Sequence, residues 1–362
     1  MKLAFLSVGR SDIQRILPII KLLRDINDVE CDVIPCSANY SDEFGETISL
    51  LKKLDISYKM GCESHLSSDS PAAWAKEFSL IVHSLSIIFQ VTKYDYLVLF
   101  GDRYEMLAGA VSALPFHIPV VHLMGGAVTS GALDDSIRHA MTKLSHYHLT
   151  ATDTYSNRVI QLGESPSNVI TVGSPGIDHV IDDCSKSLDE LSTHFGLDLS
   201  NGYIMACFHP VSTELSATQQ YIDSLLESMQ SINHIQVFTY PNSEPMSKLI
   251  IESITKYCKE VPHSRIIIKS ASRYFGSLLK NSLCLIGNSS SGIVECAAFK
   301  KPAINIGSRQ QGKVFPKNII SCNYDVGSIS LAINKALSSD FVDSLKDMEN
   351  PYGDGNSAIK IV

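Results

Sequence analysis

The sequence predicts an α/β protein built from two doubly wound, Rossmann-like domains with the active site in the cleft between them. Three observations carry that expectation. Strand-length apolar runs alternate with helix-length amphipathic stretches from end to end, the pattern of parallel βαβ units. The rhythm lapses once, across "GIDHVIDDCSKSLDELSTHFGLDLSNG" at 176–202, and a second series then begins. The chain has 362 residues, about two domains at the usual ~150 each. The expected boundaries are 1–180 for an N-terminal domain, 181–345 for a C-terminal domain and 346–362 for a terminal segment crossing back to the first.

Taken in order, "KLAFLSV" (2–8) reads as the first strand, followed by "GRSD" and the helix "IQRILPIIKLLRDI" (13–26). The strand "CDVIPCSA" (31–38), a helix around "EFGETISLLKKL" (43–54) and a long helix near "AAWAKEFSLIVHSLSIIF" (72–89) come next. "YLVLFG" (96–101), "IPVVHLM" (118–124), "HYHLTAT" (146–152) and "NVITVG" (168–173) continue the strands. The second series is "YIMACFHP" (203–210), "HIQVFTYP" (234–241), "RIIIKS" (265–270), "LCLIGNSS" (283–290) and "PAINIG" (302–307). No internal repeat or low-complexity tract interrupts it.

Composition narrows the function classes. A formal charge of −8 with no basic cluster argues against a nucleic-acid partner. Apolar runs such as "LIVHSLSIIFQV" are interrupted short of the ~20 residues that span a bilayer, and the start lacks a signal-peptide pattern. A cytoplasmic protein with no membrane partner is expected. Nine dispersed cysteines without a C-x-x-C pair read as reduced core residues, and the histidines show no zinc-binding spacing. No metal and no cofactor is expected; the first strand is followed by "SVGRSD" instead of the Gly-x-Gly-x-x-Gly of a dinucleotide fold.

In doubly wound domains ligands bind outside the carboxyl ends of the strands, so the loops after strands matter most. "IGNSSSGIVECAAF" ends a strand in a small-residue loop opening a helix, where Ser290, Ser291 and Gly292 offer N–H and hydroxyl groups to a phosphate, or merely cap the helix. Glu295, one turn on, suits a ribose diol or the solvent. Arg10 reads as an anion clamp or a surface ion pair. "LVLFGDRYEM" puts Asp102, Arg103 and Glu105 at a strand mouth, where Asp102 is a general acid/base or a helix cap. His209 of "CFHPVSTE" is placed to bind phosphate or shuttle a proton. "DDSIRHAMTKLSH" opens a helix with Asp134 and Asp135, followed within a turn by Arg138 and His139, more charge than capping needs.

The ordered set "GDRYE", "GGAVTSGALDDSIRHAMTKLSHYH", "HPVSTE", "YPNSEP", "GNSSSGIVECAAFKKPAINIGSRQQGK" and "NPYGDGNSAIKI" resembles the UDP-N-acetylglucosamine 2-epimerase family, with the nearer likeness to its hydrolysing branch, which makes precursors of sialic and legionaminic acids. The resemblance runs over essentially the whole chain. It implies a fold like that of GT-B glycosyltransferases, a UDP- or GDP-sugar as substrate and a homodimer or homotetramer. The implied reaction removes the C2 proton, expels the nucleoside diphosphate and hydrates the resulting glycal to a free N-acetylmannosamine-type sugar. It also implies proton-transfer roles for Asp102 and Asp134 and nucleotide contacts for Arg10, His209, Ser290, Ser291 and Glu295; His139 is a further catalytic candidate and Gly292 a further nucleotide contact. Arg103, Glu105, Asp135 and Arg138 are expected on the substrate.

One stretch departs from that pattern. The branch usually reads His-Ile-(His or Glu)-Gly-Gly-Glu, whereas this chain reads His122-Leu123-Met124-Gly125-Gly126-Ala127. Neither a thioether nor a methyl group moves a proton. Met124 and Ala127 are expected to form an apolar wall facing the ligand, suited to a deoxy, N-acetylated sugar. The competing readings are a non-hydrolysing epimerase, a GT-B glycosyltransferase and a non-catalytic sugar-nucleotide-binding protein.

Overall fold

The computed structural model describes residues 1–40, 47–58, 61–66, 70–129, 133–241, 245–267 and 271–362. The chain divides into two compact units: Met1–Ala127, Leu133–Asp178 and Gly355–Val362 form the first, and the second is chiefly His179–Asp354.

The first unit holds strands β1 (Lys2–Ser7), β2 (Glu30–Pro35), β3 (Tyr96–Phe100), β4 (Val120–Leu123), β5 (Tyr147–Thr150) and β6 (Val169–Thr171). Helices α1 (Arg10–Arg24), α2 (Thr47–Lys53), α3 (Pro71–Val91), α4 (Tyr104–Ala113), α5 (Leu133–Leu144) and α6 (Asp153–Gln161) accompany them, and α7 (Pro175–Asp182) carries the chain across the boundary at Asp178. All pairings are parallel, in the order β2-β1-β3-β4-β5-β6. The order reverses between β1 and β3, which makes their carboxyl ends the switch point where doubly wound sheets take ligands. β1 is apolar nearly throughout because both of its faces are covered. Ala4 and Leu6 pack into one core cluster with Ile81, Leu85 and Leu99, while Leu3 and Phe5 pack into another with Ile13, Ile16 and Val98.

α3 is long and apolar enough to cross a bilayer by length and composition, although the sequence reading found its apolar run too short. Here Ile81, Leu85 and Ile88, one stripe at helical spacing, are buried in the first unit's core.

The second unit contains β7 (Tyr203–Cys207), β8 (Ile235–Thr239), β9 (Ser264–Ile267), β10 (Cys284–Gly287), β11 (Ala303–Ile306) and β12 (Ile319–Cys322). Its helices are α8 (Leu188–Phe195), α9 (Thr218–Met229), α10 (Ser247–Glu260), α11 (Ala271–Asn281), α12 (Glu295–Ala298), α13 (Val326–Leu337) and α14 (Ser339–Ser344), and α15 (Ser357–Ile361) belongs to the first unit. The parallel order β12-β11-β10-β7-β8-β9 places a second switch point between β10 and β7. Alternation again divides the core: Ile204, Ala206 and Phe208 face one cluster, Tyr203, Met205 and Cys207 the other. Five strands are expected here from the sequence; β12 is the addition, a four-residue edge strand with one buried position and little apolar pattern to reveal it.

Candidate active site

In the first unit, β3 and β4 are neighbours with Leu97–Phe100 in register with Val120–Leu123, so the loops after them emerge side by side. Arg138, one turn into α5, joins them. Its side chain is 3% exposed and donates to an Asp102 carboxylate oxygen, to Asp135 Oδ1 at 3.0 Å and to the Ala127 carbonyl at 2.8 Å. A guanidinium buried this far is tolerated only with such a set of acceptors. Asp102 is not the cap of α4: Arg103 occupies the cap position, and no side chain bonds the helix end there. Asp134 is exposed at the start of α5, Asp135 is half-buried, and His139 Nε2 lies 3.6 Å from Asp135 Oδ2. The structure thus brings Asp102, Asp135, Arg138 and His139 together around one guanidinium.

His122 lies beneath this cluster, fully buried. Its Nε2 is 2.8 Å from the Gly101 carbonyl, which can only accept, so Nε2 carries the proton. Burial pulls its pKa from 6.5 down to about 4, partly opposed by that carbonyl, and the ring is neutral near pH 7. Gly125 covers Nδ1 so closely that a Cβ there would stand 2.9 Å away. Arg103 and Glu105 form a separate pair, Nε to Oε2 3.7 Å, with Glu105 buried and its pKa raised by that burial against the pull of Arg103. Arg10 is the first residue of α1, and its side chain lies outside the described residues. Asp12 is buried and accepts from the Val8 N–H at 2.9 Å, bracing the turn after β1.

Met124 differs from the expectation of an apolar wall facing the ligand. It adopts a left-handed φ of 69°, donates its N–H to the Leu149 carbonyl at 2.8 Å, and packs half-buried against the cluster holding Leu123, Leu149 and Val172. The left-handed kink at the end of β4 turns the side chain back onto the sheet's core.

The second unit builds its loop site across the β7/β10 switch point. Asn288, fully buried at the end of β10, accepts from the His209 N–H at 2.7 Å through Oδ1 and donates from Nδ2 to the His209 carbonyl at 2.8 Å. Its own carbonyl accepts from Arg309 Nη1 at 3.3 Å and Gln310 Nε2 at 2.8 Å. His209 is buried, its Nε2 3.4 Å from Cys207 Sγ, and burial together with the nearby Arg309 charge lowers its pKa to about 3.

Ser290–Gly292 is a short 3₁₀ turn, not the start of a long helix, and the α-helix after it has four residues. Ser289 caps the turn, accepting from the Ser291 N–H at 3.3 Å, while the Gly292 N–H bonds the Ser289 carbonyl and the Ile293 and Val294 N–H groups bond the Ser290 carbonyl. The expected helix N-terminus with open N–H groups is therefore corrected to a turn that uses the Ser291 and Gly292 donors internally, with Ser290 and Ser291 half-buried. Glu295 opens α12 and is buried. The sequence reading does not single out Asn288 or Arg309. The signal for Asn288 was a polar residue between a buried glycine and a serine run at a strand end. Asn242, in "YPNSEP", lies outside the described residues.

A family model described as UDP-N-acetylglucosamine 2-epimerase matches residues 21–362, most of the chain and both loop sites. The chain belongs to this family. Among curated relatives, a polysialic acid biosynthesis protein of Escherichia coli is 29% identical over 100% of this chain and 92% of its own length. A GDP/UDP-N,N'-diacetylbacillosamine 2-epimerase (hydrolyzing) of Campylobacter jejuni is 32% identical over 94% of this chain and 88% of its own. A UDP-N-acetylglucosamine 2-epimerase of Neisseria meningitidis is 30% identical over 91% and 85%. The solved UDP-GlcNAc 2-epimerase from Neisseria meningitidis superposes with a TM-score of 0.85 over 100% of this chain and 98% of that one, at 17% identity, and the Methanocaldococcus jannaschii enzyme does so with 0.82 over 100% and 98%, at 18%. The family's two-domain, GT-B-like α/β fold is thus the fold of this chain, and the likeness to the hydrolysing branch read from its motifs agrees with relatives named as hydrolysing enzymes.

Proposed function

We propose that this family member is a hydrolysing 2-epimerase of a UDP- or GDP-linked N-acetylated amino sugar. A carboxylate takes the proton from C2, and the C1–O bond breaks with its electron pair leaving on the diphosphate. The glycal left behind then takes hydroxide at C1 and a proton at C2 from the opposite face, giving a free N-acetylmannosamine-type sugar. Asp102, Asp134 and His139 are the proton-transfer groups, and Asp135 and Arg138 hold the cluster and the sugar. The observation that carries this reading is the buried Arg138, which holds Asp102 from the loop after β3 beside Asp135 from the first turn of α5, next to Asp134, with His139 facing Asp135. In the second unit the Ser290 and Ser291 hydroxyls, neutral His209 and the Arg309 cation beside it form a set suited to a diphosphate leaving group, with Glu295 on the ribose. Relatives named for UDP- and GDP-sugars, and neighbours solved with UDP-GlcNAc and UDP, support a nucleotide-sugar substrate. The nine cysteines, none in a disulfide, fit a reducing cytoplasm.

The test is incubation with UDP-N-acetylglucosamine and with a 2,4-diacetamido-2,4,6-trideoxy nucleotide sugar, followed by NMR without any acceptor. Free 2-epimeric sugar with nucleoside diphosphate is the expected product. An epimeric nucleotide sugar would indicate the non-hydrolysing reaction named for some relatives. A requirement for an acceptor would indicate glycosyl transfer, and binding without turnover would overturn the enzymatic reading.

A further inference from the structure

We infer that the second unit carries a binding site for a neutral polyhydroxylated ligand of monosaccharide size, at the carboxyl ends of β11 and β12 and independent of the reaction proposed above. A cavity of about 460 Å³ opens there, within the range of small-molecule sites. Glu214, the last residue of "HPVSTE" and unused by the proposed chemistry, lines it together with Asn305, Ser308, Phe315, Asn323 and Tyr324. The Glu214 carboxylate is aligned by two hydroxyls: Tyr221 Oη donates to Oε2 and Ser308 Oγ to Oε1 at 3.2 Å. Those donors are themselves fixed. The Tyr221 and Tyr324 rings stack 3.5 Å apart, and Tyr324 Oη accepts from the Ser308 N–H at 3.2 Å.

The donors of the cavity wall are neutral, among them the amides of Gln311 and Asn323 and the hydroxyl of Ser321. Among the described residues no lysine, arginine or histidine lines it, so no cation of that wall faces the carboxylate. Asn305 is 5% exposed, and its Nδ2 reaches the Gly307 carbonyl at 3.3 Å. Hydroxyl groups complement such a wall, since they can donate to the carboxylate and both donate to and accept from the neutral amides and hydroxyls around it. A cation would suit a wall of several acids, whereas here one carboxylate, already accepting two hydroxyl hydrogen bonds, stands among amides and serines. Phe315, 40% exposed, adds an apolar ring against which the C–H face of a sugar can lie.

The experiment is saturation-transfer NMR on the full chain with N-acetylmannosamine, N-acetylglucosamine, mannose and glycerol, using the wild type and the variants Glu214→Gln, Phe315→Ala and Asp102→Asn. UDP affinity, measured by calorimetry, confirms that each variant is folded. At least one of the sugars is expected to bind, to bind equally to Asp102→Asn, and to bind about tenfold or more weakly to Glu214→Gln and Phe315→Ala, with UDP affinity unchanged in both. Binding of none of the four probes overturns the inference. So does binding lost in Asp102→Asn but kept in Glu214→Gln, which would put the sugar at the catalytic cluster. Binding of ethanolamine in place of the sugars, lost in Glu214→Gln, would make it a cation site and overturns it as well.

Discussion

A guanidinium with 3% exposure depends on its acceptors, and those of Arg138 include the Asp102 and Asp135 carboxylates and the Ala127 carbonyl. Replacing Asp102 or Asp134 with asparagine preserves shape and removes the carboxylate that the proposed reaction uses for proton transfer. Each variant is expected to bind UDP normally while losing turnover by about 10²–10⁴-fold. Loss of folding, read by circular dichroism, would return that aspartate to a structural role. His122 makes a separate prediction about stability. It is buried and neutral, with a pKa near 4 against 6.5 when unfolded. Between those values the unfolded chain binds the extra proton, so stability from this residue is full above pH 6.5 and is lost as pH falls toward 4. The loss amounts to about 3 kcal/mol at most. Chemical denaturation at pH 7 and pH 4.5 should show the drop, and His122→Gln, which titrates nowhere in that range, should reduce it. An equal drop in the variant would assign the pH sensitivity to other groups, His209 first among them.

At the level of elements, the loop after β4 is set by two glycines with different duties. Gly126 has φ +79°, and a Cβ there would stand 2.3 Å from the Tyr155 carbonyl oxygen. Gly126→Ala therefore combines left-handed strain with a backbone clash and should cost about 2–4 kcal/mol, read as a lower denaturation midpoint. A neutral outcome would mean that α6 moves aside easily. This loop also shows what the sequence could and could not convey. Strand ends were legible, because strands buried on both faces are continuous apolar runs; hence Asp102, His209 and the Ser290 loop could be placed after strands from the sequence alone. What the side chains do beyond the strand end was less legible. Met124 looked like a ligand-facing residue, yet its left-handed backbone returns it to the core, and no pattern of residue types announces a positive φ at methionine. Asn288 is similar. Its importance lies in bridging two strands distant in sequence, which only the β7–β10 pairing reveals.

At the scale of the whole molecule, the chain leaves the first unit after Asp178 and returns to it at Gly355. The return is anchored by Asp178 itself. Its buried carboxylate accepts from the Ser357 N–H at 3.1 Å and the Ala358 N–H at 2.6 Å, the opening of α15, and Ala358 packs into the cluster that holds Ile13, Ile16 and Ile20. One residue thus precedes the long excursion His179–Asp354 and fastens the chain's last turn. Asp178→Ala removes two charge-assisted bonds and leaves two N–H groups without an acceptor, a loss of about 2–5 kcal/mol. In a unit of this size that lowers its unfolding transition by roughly 5–15 °C. The turn at Ser290–Gly292, proposed to hold the diphosphate, is in contrast braced by Asn288, Arg309 and Gln310, all within the second unit, whose core contains none of the affected residues. Calorimetry of Asp178→Ala should therefore show one transition displaced and UDP affinity unchanged at a temperature where both units are folded. A parallel fall in UDP affinity would show that nucleotide binding draws on the first unit's C-terminal clasp, and that the two cores do not divide the work along the units they define.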